Sequence, residues 1–254
     1  KADWNTNGSL ILSGAVSLQE YQDAIRNVYY NNYSENPTIE LKNITITLDD
    51  VDYLPATGHF YQYILNPGIK WTEARDAAAL KKLYGSLQGY LATITSKIEN
   101  DFIWSKTKGT GWIGASDKDV SDEWKWVSGP EAGLLFWKGK GKDEGGAQVN
   151  GAYSNWNTGE PNDKEGEYYA HITFGVGYPG SWNDLPDKGI PDPSSEYYPK
   201  GYLIEYGGME PATTLKLFDF VEIEIVDFKF SDVTDATICQ FDSVALNHDF
   251  TGEY

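Results

Sequence analysis

Two short acidic triplets carry most of the chemistry that this sequence offers. Glu160-Pro161-Asn162 stands in a stretch rich in Gly, Asn and Asp, and Trp182-Asn183-Asp184 follows further along the chain. Both triplets place carboxylate and amide oxygens on backbone of the type that forms loops. Such oxygens suit a hard cation such as calcium, and the lack of His or Cys in either triplet argues against zinc or copper. The two triplets therefore predict one calcium site shared by two loops.

A calcium ion held at a surface with unfilled coordination can also accept hydroxyl groups of a sugar. The chain has 9 Trp and 18 Tyr, which suits a sugar-binding surface, although a β-rich core is the more common reason for such a composition. We expect a core position for Trp112, Trp124, Trp126 and Trp156. Four side chains could border a sugar, although a structural role is the more common one for each: Tyr168, Tyr169, His171 and Tyr178.

The composition narrows the possible partners. The chain has 254 residues, and 38 acidic against 20 basic residues give a net charge of −18. This charge disfavours nucleic acid and anionic membranes and favours cations, although a solvated acidic surface would look the same. No apolar run is long enough to insert into a membrane. Cys239 is the only cysteine, so no intrachain disulfide is possible. Separately, we expect the chain to be part of a longer protein.

Residues 56–208 read as an α+β unit with two helices, antiparallel strands and long loops. The first helix is predicted from Thr72 to Leu83 with Thr72 as its N-cap. A capping box at Ser96–Glu99 opens the second, which should bury Ile98, Phe102 and Ile103. The predicted strands are 59–64, 90–94, 112–114, 124–127 and 202–206. Loops as long as 138–151 and 175–200 are usually either functional or disordered. Their position beside both acidic triplets favours function.

The flanking segments, 1–55 and 209–254, read as β-rich. Ser17 is a possible N-cap for a short helix over 18–25. Strands are predicted at 10–12, 28–30, 39–48 and 215–230, and 239–246 looks like the first strand of another module.

The motifs of residues 56–208 together resemble a C-type lectin-like domain. Gly89-Tyr90-Leu91-Ala92-Thr93-Ile94 is similar to a strand of that family, and Trp112-Ile113-Gly114 and Trp124-Lys125-Trp126 are similar to the two that follow. Tyr153-Ser154-Asn155-Trp156 leads into Glu160-Pro161-Asn162 as the long loop of the family does. The order and spacing of these motifs make the resemblance specific.

The resemblance implies a role for each residue of the predicted site. The residues that would hold calcium and contact the sugar are Glu160, Asn162, Glu167, Asn183 and Asp184. Pro161 would follow a cis peptide bond, and the Glu-Pro-Asn order goes with mannose-, glucose- or fucose-type sugars. A second, structural calcium would use Asp117, Asp122, Asp163 and Glu167. The chain departs from the family at Tyr168, where an Asp is usual, and at Tyr169 and Ile204, which stand near cysteine positions of animal members.

The outer segments resemble cadherin-like, immunoglobulin-type repeats of large surface adhesins in gliding Bacteroidetes. The matching residues are Leu10–Gly14, Glu20–Arg26 and Tyr29–Asn32. The resemblance implies an extracellular location at a cell surface, a cell-surface or extracellular glycan as partner, and other modules in a longer chain. The lectin-like unit would then be inserted in the β-sandwich, or a separate small sandwich would follow it.

Other functions remain open from the sequence. A lectin-shaped domain can bind protein or ice, and calcium can serve only to stiffen loops in a structural spacer. Glu160 and Glu167 could also form a carboxylate pair for glycoside hydrolysis, but both are better used as metal ligands. We therefore predict a binding module and not an enzyme.

Overall fold

A computed structural model of the chain describes residues 2–4, 10–12, 16–30, 42–47, 50–164, 166–209, 218–223 and 244–245. The chain divides into two compact units. One combines Lys1–Thr45 with Phe220–Tyr254, and the other is Ile46–Asp219. The second unit therefore lies between the two segments of the first in sequence, and its limits are wider than the predicted 56–208.

The described residues from Ala2 to Thr47 form four short strands and one helix. They are β1 (Ala2–Trp4), β2 (Leu10–Leu12), α1 (Leu18–Arg26), β3 (Tyr29–Tyr30) and β4 (Lys42–Thr47). Strand β1 pairs antiparallel with β2. The predicted N-cap of α1 is confirmed: Ser17 Oγ accepts from the Glu20 backbone N–H at 3.3 Å, and the Glu20 carboxylate accepts from the Ser17 backbone N–H at 2.8 Å.

The second unit contains two helices and an 11-stranded sheet. The helices are α2 (Trp71–Ala79) and α3 (Lys97–Lys106), and a 3-10 helix spans Lys142–Glu144. The strands are β5 (Asp52–Leu54), β6 (His59–Leu65), β7 (Lys82–Leu83), β8 (Leu87–Leu91), β9 (Gly111–Ser116), β10 (Glu123–Trp126), β11 (Leu135–Lys138), β12 (Ala147–Gln148), β13 (Tyr169–Ile172), β14 (Trp182–Leu185) and β15 (Gly201–Tyr206). The α+β class is confirmed.

The sheet is mixed, which corrects the expectation of antiparallel strands alone. Its main path runs β12-β11-β10-β9-β15-β6-β5, and β13 joins β14 to β9. Strands β9 and β15 pair in parallel, with Gly201 opposite Gly111. Strand β5 pairs with β6, so the unit begins before residue 56.

The predicted limits and N-cap of α2 are wrong. The helix starts at Trp71 after Lys70 and ends at Ala79, because the chain turns there into β7. Thr72 is not the cap: its backbone N–H and its hydroxyl both donate to the Asp187 carboxylate, at 2.9 and 3.2 Å. Thr72 and Asp187 are far apart in the sequence, so no local pattern predicts this contact.

The predicted N-cap of α3 is confirmed, but the second half of the predicted capping box and the burial of Ile98 are not, because the Glu99 carboxylate accepts from the Thr95 backbone N–H instead. Ser96 Oγ accepts from the Glu99 backbone N–H at 3.2 Å. The Glu99 carboxylate turns inward, where Tyr61 Oη donates to it at 2.7 Å. Ile103 is buried as expected, but Ile98 is 63% exposed, because α3 turns the face with Glu99 and Ile103 toward the sheet.

Interlocking aromatic rings fill the core between the sheet and the long loops. Trp126 stacks on Phe136 with ring centroids 4.7 Å apart, and Trp124 meets Trp156 edge-on at the same centroid distance. Trp182 contacts Trp126, Phe136 and Trp156. The core positions predicted for Trp112, Trp124, Trp126 and Trp156 are confirmed.

Two strands after the second unit return to the first segment. Strand β16 (Phe218–Ile223) pairs with β4, and β17 (Val244–Ala245) pairs with β3. The predicted β-sandwich remains a prediction, since much of it, with Cys239, lies outside the described residues. Among the helices that the structure describes, none has the length and apolarity to cross a membrane.

Candidate functional site

Backbone hydrogen bonds join the long loop to β14 and so bring the two acidic triplets together. Asn157 N–H donates to the Trp182 carbonyl, and Trp182 N–H donates to the Asn155 carbonyl, each at 2.8 Å. The fully buried Trp182 indole donates to Asn100 Oδ1 of α3 at 2.7 Å. Strand β14 is therefore fixed to the core, and the chain leading to Glu160 is fixed to β14.

Four of the five residues predicted to bind the first ion are linked by hydrogen bonds. Asn162 Nδ2 donates to Glu160 Oε2 at 2.6 Å, and Asn183 Nδ2 donates to Glu160 Oε1 at 2.8 Å. The Asp184 carboxylate accepts the backbone N–H groups of Asn162 and Asp163, at 3.0 and 2.8 Å. The peptide bond between Glu160 and Pro161 is cis.

Glu167, the fifth residue, belongs to the same electrostatic cluster. Burial raises the pKa of Glu167 to about 7, and the Asp184 charge acts in the same direction, while Lys164 opposes it. Burial also raises the pKa of Glu160 to about 8, helped by Asp184 and Glu167. The pKa of Asp184 is raised by its burial. Ionisation of these buried, neighbouring carboxyl groups is therefore costly, and a bound cation would reduce that cost.

The residues predicted for the second ion lie beside the first cluster. Asp117 is 2% exposed, and its Oδ2 accepts the Asp122 backbone N–H at 3.0 Å. Burial raises the pKa of Asp117 to about 6, and the charges of Asp163, Asp184 and Asp122 add to the rise. Asp163 also acts on Glu167. The structure thus brings all four members of this set into one acidic region.

Several oxygens in this region are buried and lack a partner. Asn183 Oδ1, Asp117 Oδ1 and Asp163 Oδ1 accept no hydrogen bond from any residue that the structure describes. Buried polar atoms are rarely left unpaired, and carboxylate and amide oxygens are ligands that hard cations use. Within the described ranges, no group of three or more His, Cys, Asp or Glu side chains already has metal-binding geometry.

Two of the four residues considered for a sugar border are structural. Tyr169 is buried and stacks on Trp71, with ring centroids 4.6 Å apart. His171 is fully buried, and this burial lowers its pKa to about 4. Tyr168 is half-buried beneath the Lys118 ammonium, which lies 4.0 Å from the ring centroid.

Tyr178 differs from these because it is 43% exposed. Its hydroxyl donates to the Trp156 carbonyl at 2.5 Å, and it borders a cavity of about 670 Å³ next to Glu160. We call this cavity the long-loop groove. Its walls are Trp137, Lys142, Asp143, Gly146, Ala147, Gln148, Ser154, Trp156, Asn157, Thr158, Gly159, Glu160 and Tyr178.

The long-loop groove cannot be recognised from the sequence alone. Its walls come from separate stretches that meet only in the folded chain. The one usable signal was the length of the Gly-rich segment 138–151, which contains β12 and the 3-10 helix Lys142–Glu144.

The domain combines a mixed sheet, two helices and an acidic cluster on long loops. Its candidate binding site therefore lies on loops that the sheet and helices support. A family model described as "Lectin C-type domain" matches residues 77–188, and the chain belongs to this family of C-type lectin domains. Domains of this family are generally binding modules without enzymatic activity.

The similar proteins cover different shares of the chain. Halomucin of Haloquadratum walsbyi is 37% identical over 221 residues, which are 83% of this chain and 2% of halomucin. Lithostathine of Rattus norvegicus is 30% identical over 135 residues, which are 51% of this chain and 67% of lithostathine. Among solved structures, the mouse scavenger receptor C-type lectin carbohydrate-recognition domain is 23% identical with a TM-score of 0.42, over 62% of this chain and 93% of that one.

Proposed function

We propose that the domain binds carbohydrate through a calcium ion. Glu160, Asn162, Glu167, Asn183 and Asp184 would hold the ion, and sugar hydroxyls would complete its coordination. The observation that carries this proposal is the assembly of buried carboxylates and amides on two loops fixed to the core. Burial destabilises the ionised form of each carboxylate in it, and neighbouring acidic charges add to this for Glu160 and Glu167.

A divalent cation would offset this repulsion directly. Calcium takes 6–8 oxygen ligands at about 2.3–2.6 Å, more than a few side chains supply, so positions are left for a ligand. Binding would replace the hydrogen bonds that Asn162 and Asn183 now make to Glu160. The freed amide N–H groups and the carboxylate oxygens could then donate to and accept from sugar hydroxyls.

A second calcium ion at Asp117, Asp122, Asp163 and Glu167 would serve a structural role. The unpaired buried oxygens of Asp117 and Asp163 support this assignment. An ion there would join the end of β9 to the long loop and hold Glu167 in place for the first site.

Calcium titration by calorimetry, followed by glycan-array binding with and without a chelator, tests the proposal. We expect calcium binding and sugar binding that the chelator abolishes. Binding to protein or ice that the chelator leaves unchanged would instead indicate one of the alternative functions. Calcium binding without any ligand would indicate a structural spacer.

The Glu-Pro-Asn order supports a preference for mannose-, glucose- or fucose-type sugars. The double substitution Glu160→Gln and Asn162→Asp exchanges the donor and acceptor sides of the loop. We expect it to move array binding toward galactose-type sugars, because hydroxyl orientation must match the donors and acceptors. An unchanged array profile would contradict direct sugar coordination by this loop.

We further propose that the domain acts at a cell surface, within a larger adhesive protein. A single sugar on an exposed ion buries few atoms, so affinity at one site should be weak. Useful adhesion would then depend on several copies acting together.

A further inference from the structure

We propose that the long-loop groove is a second sugar subsite, which binds the next residues of a neutral oligosaccharide whose first sugar sits at the calcium. This inference rests on the proposed function. It adds that the preferred ligand is a chain of sugars and not a single one. Glu160 belongs both to the acidic cluster and to the wall of the groove, so one ligand can reach both.

Close backbone packing joins the walls of the groove into one surface. A Cβ on Gly141 would lie 2.8 Å from the carbonyl carbon of Gly159, so the segment before β12 touches the Glu160 loop directly. Gly146 N–H donates to the Gly141 carbonyl at 3.1 Å and closes that segment on itself. The groove is therefore a built part of the domain, with a volume inside the range of about 300–1,000 Å³ typical of small-ligand sites.

The lining has the chemistry of a carbohydrate site. Tyr178 supplies an exposed aromatic ring, while Trp137 and Trp156 are largely buried in the wall. Gln148 and Ser154 supply neutral hydrogen-bonding groups. Gln148 Nε2 donates to Ser154 Oγ at 3.2 Å, which leaves further donors and acceptors of both side chains available. Aromatic rings beside neutral polar groups suit sugar rings, which have apolar faces and hydroxyl edges.

A buried donor in the wall also lacks a partner. Trp156 is 7% exposed, and its indole Nε1–H donates to no acceptor in the part of the chain that the structure describes. By contrast, the Trp137 indole donates to the carbonyls of Gly139 and Lys140. The Nε1 atom is itself buried, so a ligand hydroxyl would reach it only after a small movement of the groove wall, and it would then give the indole N–H an acceptor.

The charges of the lining favour a neutral chain over an anionic one. Lys142 and Asp143 bring opposite charges to the same rim, and Glu160 belongs to the acidic cluster. With a net charge of −18 for the chain, a sulfated or carboxylated glycan would be repelled.

The test compares single sugars with short chains in saturating calcium. Calorimetry would measure the affinity of methyl α-mannoside and methyl α-glucoside, and of linear mannotriose and maltotriose. We expect a trisaccharide to bind about tenfold more tightly than its methyl glycoside, the gain that one or two aromatic contacts supply.

Ala147→Trp should fill the groove, because Ala147 is exposed and lines it. We expect this variant to lose the trisaccharide advantage and to keep the methyl glycoside affinity. Ala132→Trp is the matched control, since Ala132 is equally exposed and lies outside the groove. Gln148→Ala should reduce the advantage without added bulk, and it decides the matter if the tryptophan disturbs the fold.

The possible failures are distinguishable. Equal affinity for trisaccharides and methyl glycosides, or an advantage that survives both groove variants, would overturn the subsite and leave the proposed function intact. Failure of every sugar to bind in calcium would overturn both. Nuclear magnetic resonance adds a direct readout: the Trp156 indole N–H signal should shift with the trisaccharide and stay in place with the methyl glycoside.

Discussion

At the level of single residues, the acidic cluster opposes the stability of the domain. Glu160, Glu167 and Asp184 are each withdrawn from water and placed near like charges. Lys164 acts on Glu167, but burial and the Asp184 charge prevail. Such strain is common where binding requires it, and it disappears when the ligand supplies the missing charge.

The substitution Glu167→Gln tests whether the buried Glu167 charge destabilises the folded domain. It removes one repelling charge, so the variant should be more stable than the original in chelator at pH 8, by about 1–3 kcal/mol. Calcium should no longer stabilise it to the same extent. Thermal unfolding with and without calcium measures both effects, and Glu144→Gln at an exposed position is the control. Lower stability of Glu167→Gln in chelator would contradict the prediction.

At the level of elements, the sequence predicts what is encoded locally. Ser17 and Ser96 begin α1 and α3 as expected, because an N-cap depends on residues three positions away. Thr72 fails as a cap because Asp187, far along the chain, binds it. Strands β11 and β12 were missed because their neighbouring residues are rich in Gly and Lys, and their pairing with β10 and with each other is decided by the fold.

A buried polar network joins α3 to the sheet away from the acidic cluster. Tyr61 Oη of β6 donates to Glu99 Oε1 of α3 at 2.7 Å. His59 Nδ1 pairs with Glu205 Oε1 of β15 at 2.5 Å, and Thr93 N–H donates to Glu205 Oε2 at 2.9 Å. The network therefore places two carboxylates and one imidazole in a region of low solvent access.

This network should make the domain less stable as the pH rises. Burial and the Glu205 charge raise the pKa of Glu99 from 4.5 to about 6, so the folded state holds a proton that the unfolded state releases. The protonated Glu99 carboxyl group contributes about 2 kcal/mol to the free energy of unfolding. This contribution is lost as the pH rises from 4.5 to 6. Burial would lower the pKa of His59, but the hydrogen bond and charge of Glu205 raise it overall. The contribution of His59 is therefore present below pH 6.5 and lost as the pH rises through its folded pKa.

Urea unfolding in chelator between pH 4.5 and 7.5 would measure this slope for the original chain and for Glu99→Gln. In Glu99→Gln, the free energy of unfolding should no longer fall between pH 4.5 and 6. Glu73→Gln, at an exposed position of α2, should keep this fall. An identical slope in all three proteins would exclude Glu99 as the cause.

At the level of the whole molecule, the site depends on contacts that a linear sequence does not display. The two triplets can be recognised in the sequence. The hydrogen bonds that join them, between Asn155, Asn157 and Trp182, form only in the folded chain. The match to halomucin is longer than residues 56–208, so the similarity includes flanking sequence.

The lectin domain should nevertheless bind calcium without its flanks. Every residue of both predicted ion sites lies between Asp117 and Asp184, inside the compact unit Ile46–Asp219. We expect a fragment of residues 46–219 to bind calcium with the affinity of the full chain, within about twofold. Calorimetric titration of the two proteins compares them. A much weaker fragment would show that the flanks contribute to the site.

The stack of Trp71 on Tyr169 has a practical consequence. It holds the start of α2 against β13 near a place where animal members of the family use cysteine, and Ile204 is fully buried near another. The only cysteine of the chain, Cys239, lies outside the unit Ile46–Asp219. This unit therefore forms no disulfide, so its fold should not depend on an oxidising environment, and dithiothreitol should leave its thermal unfolding midpoint unchanged.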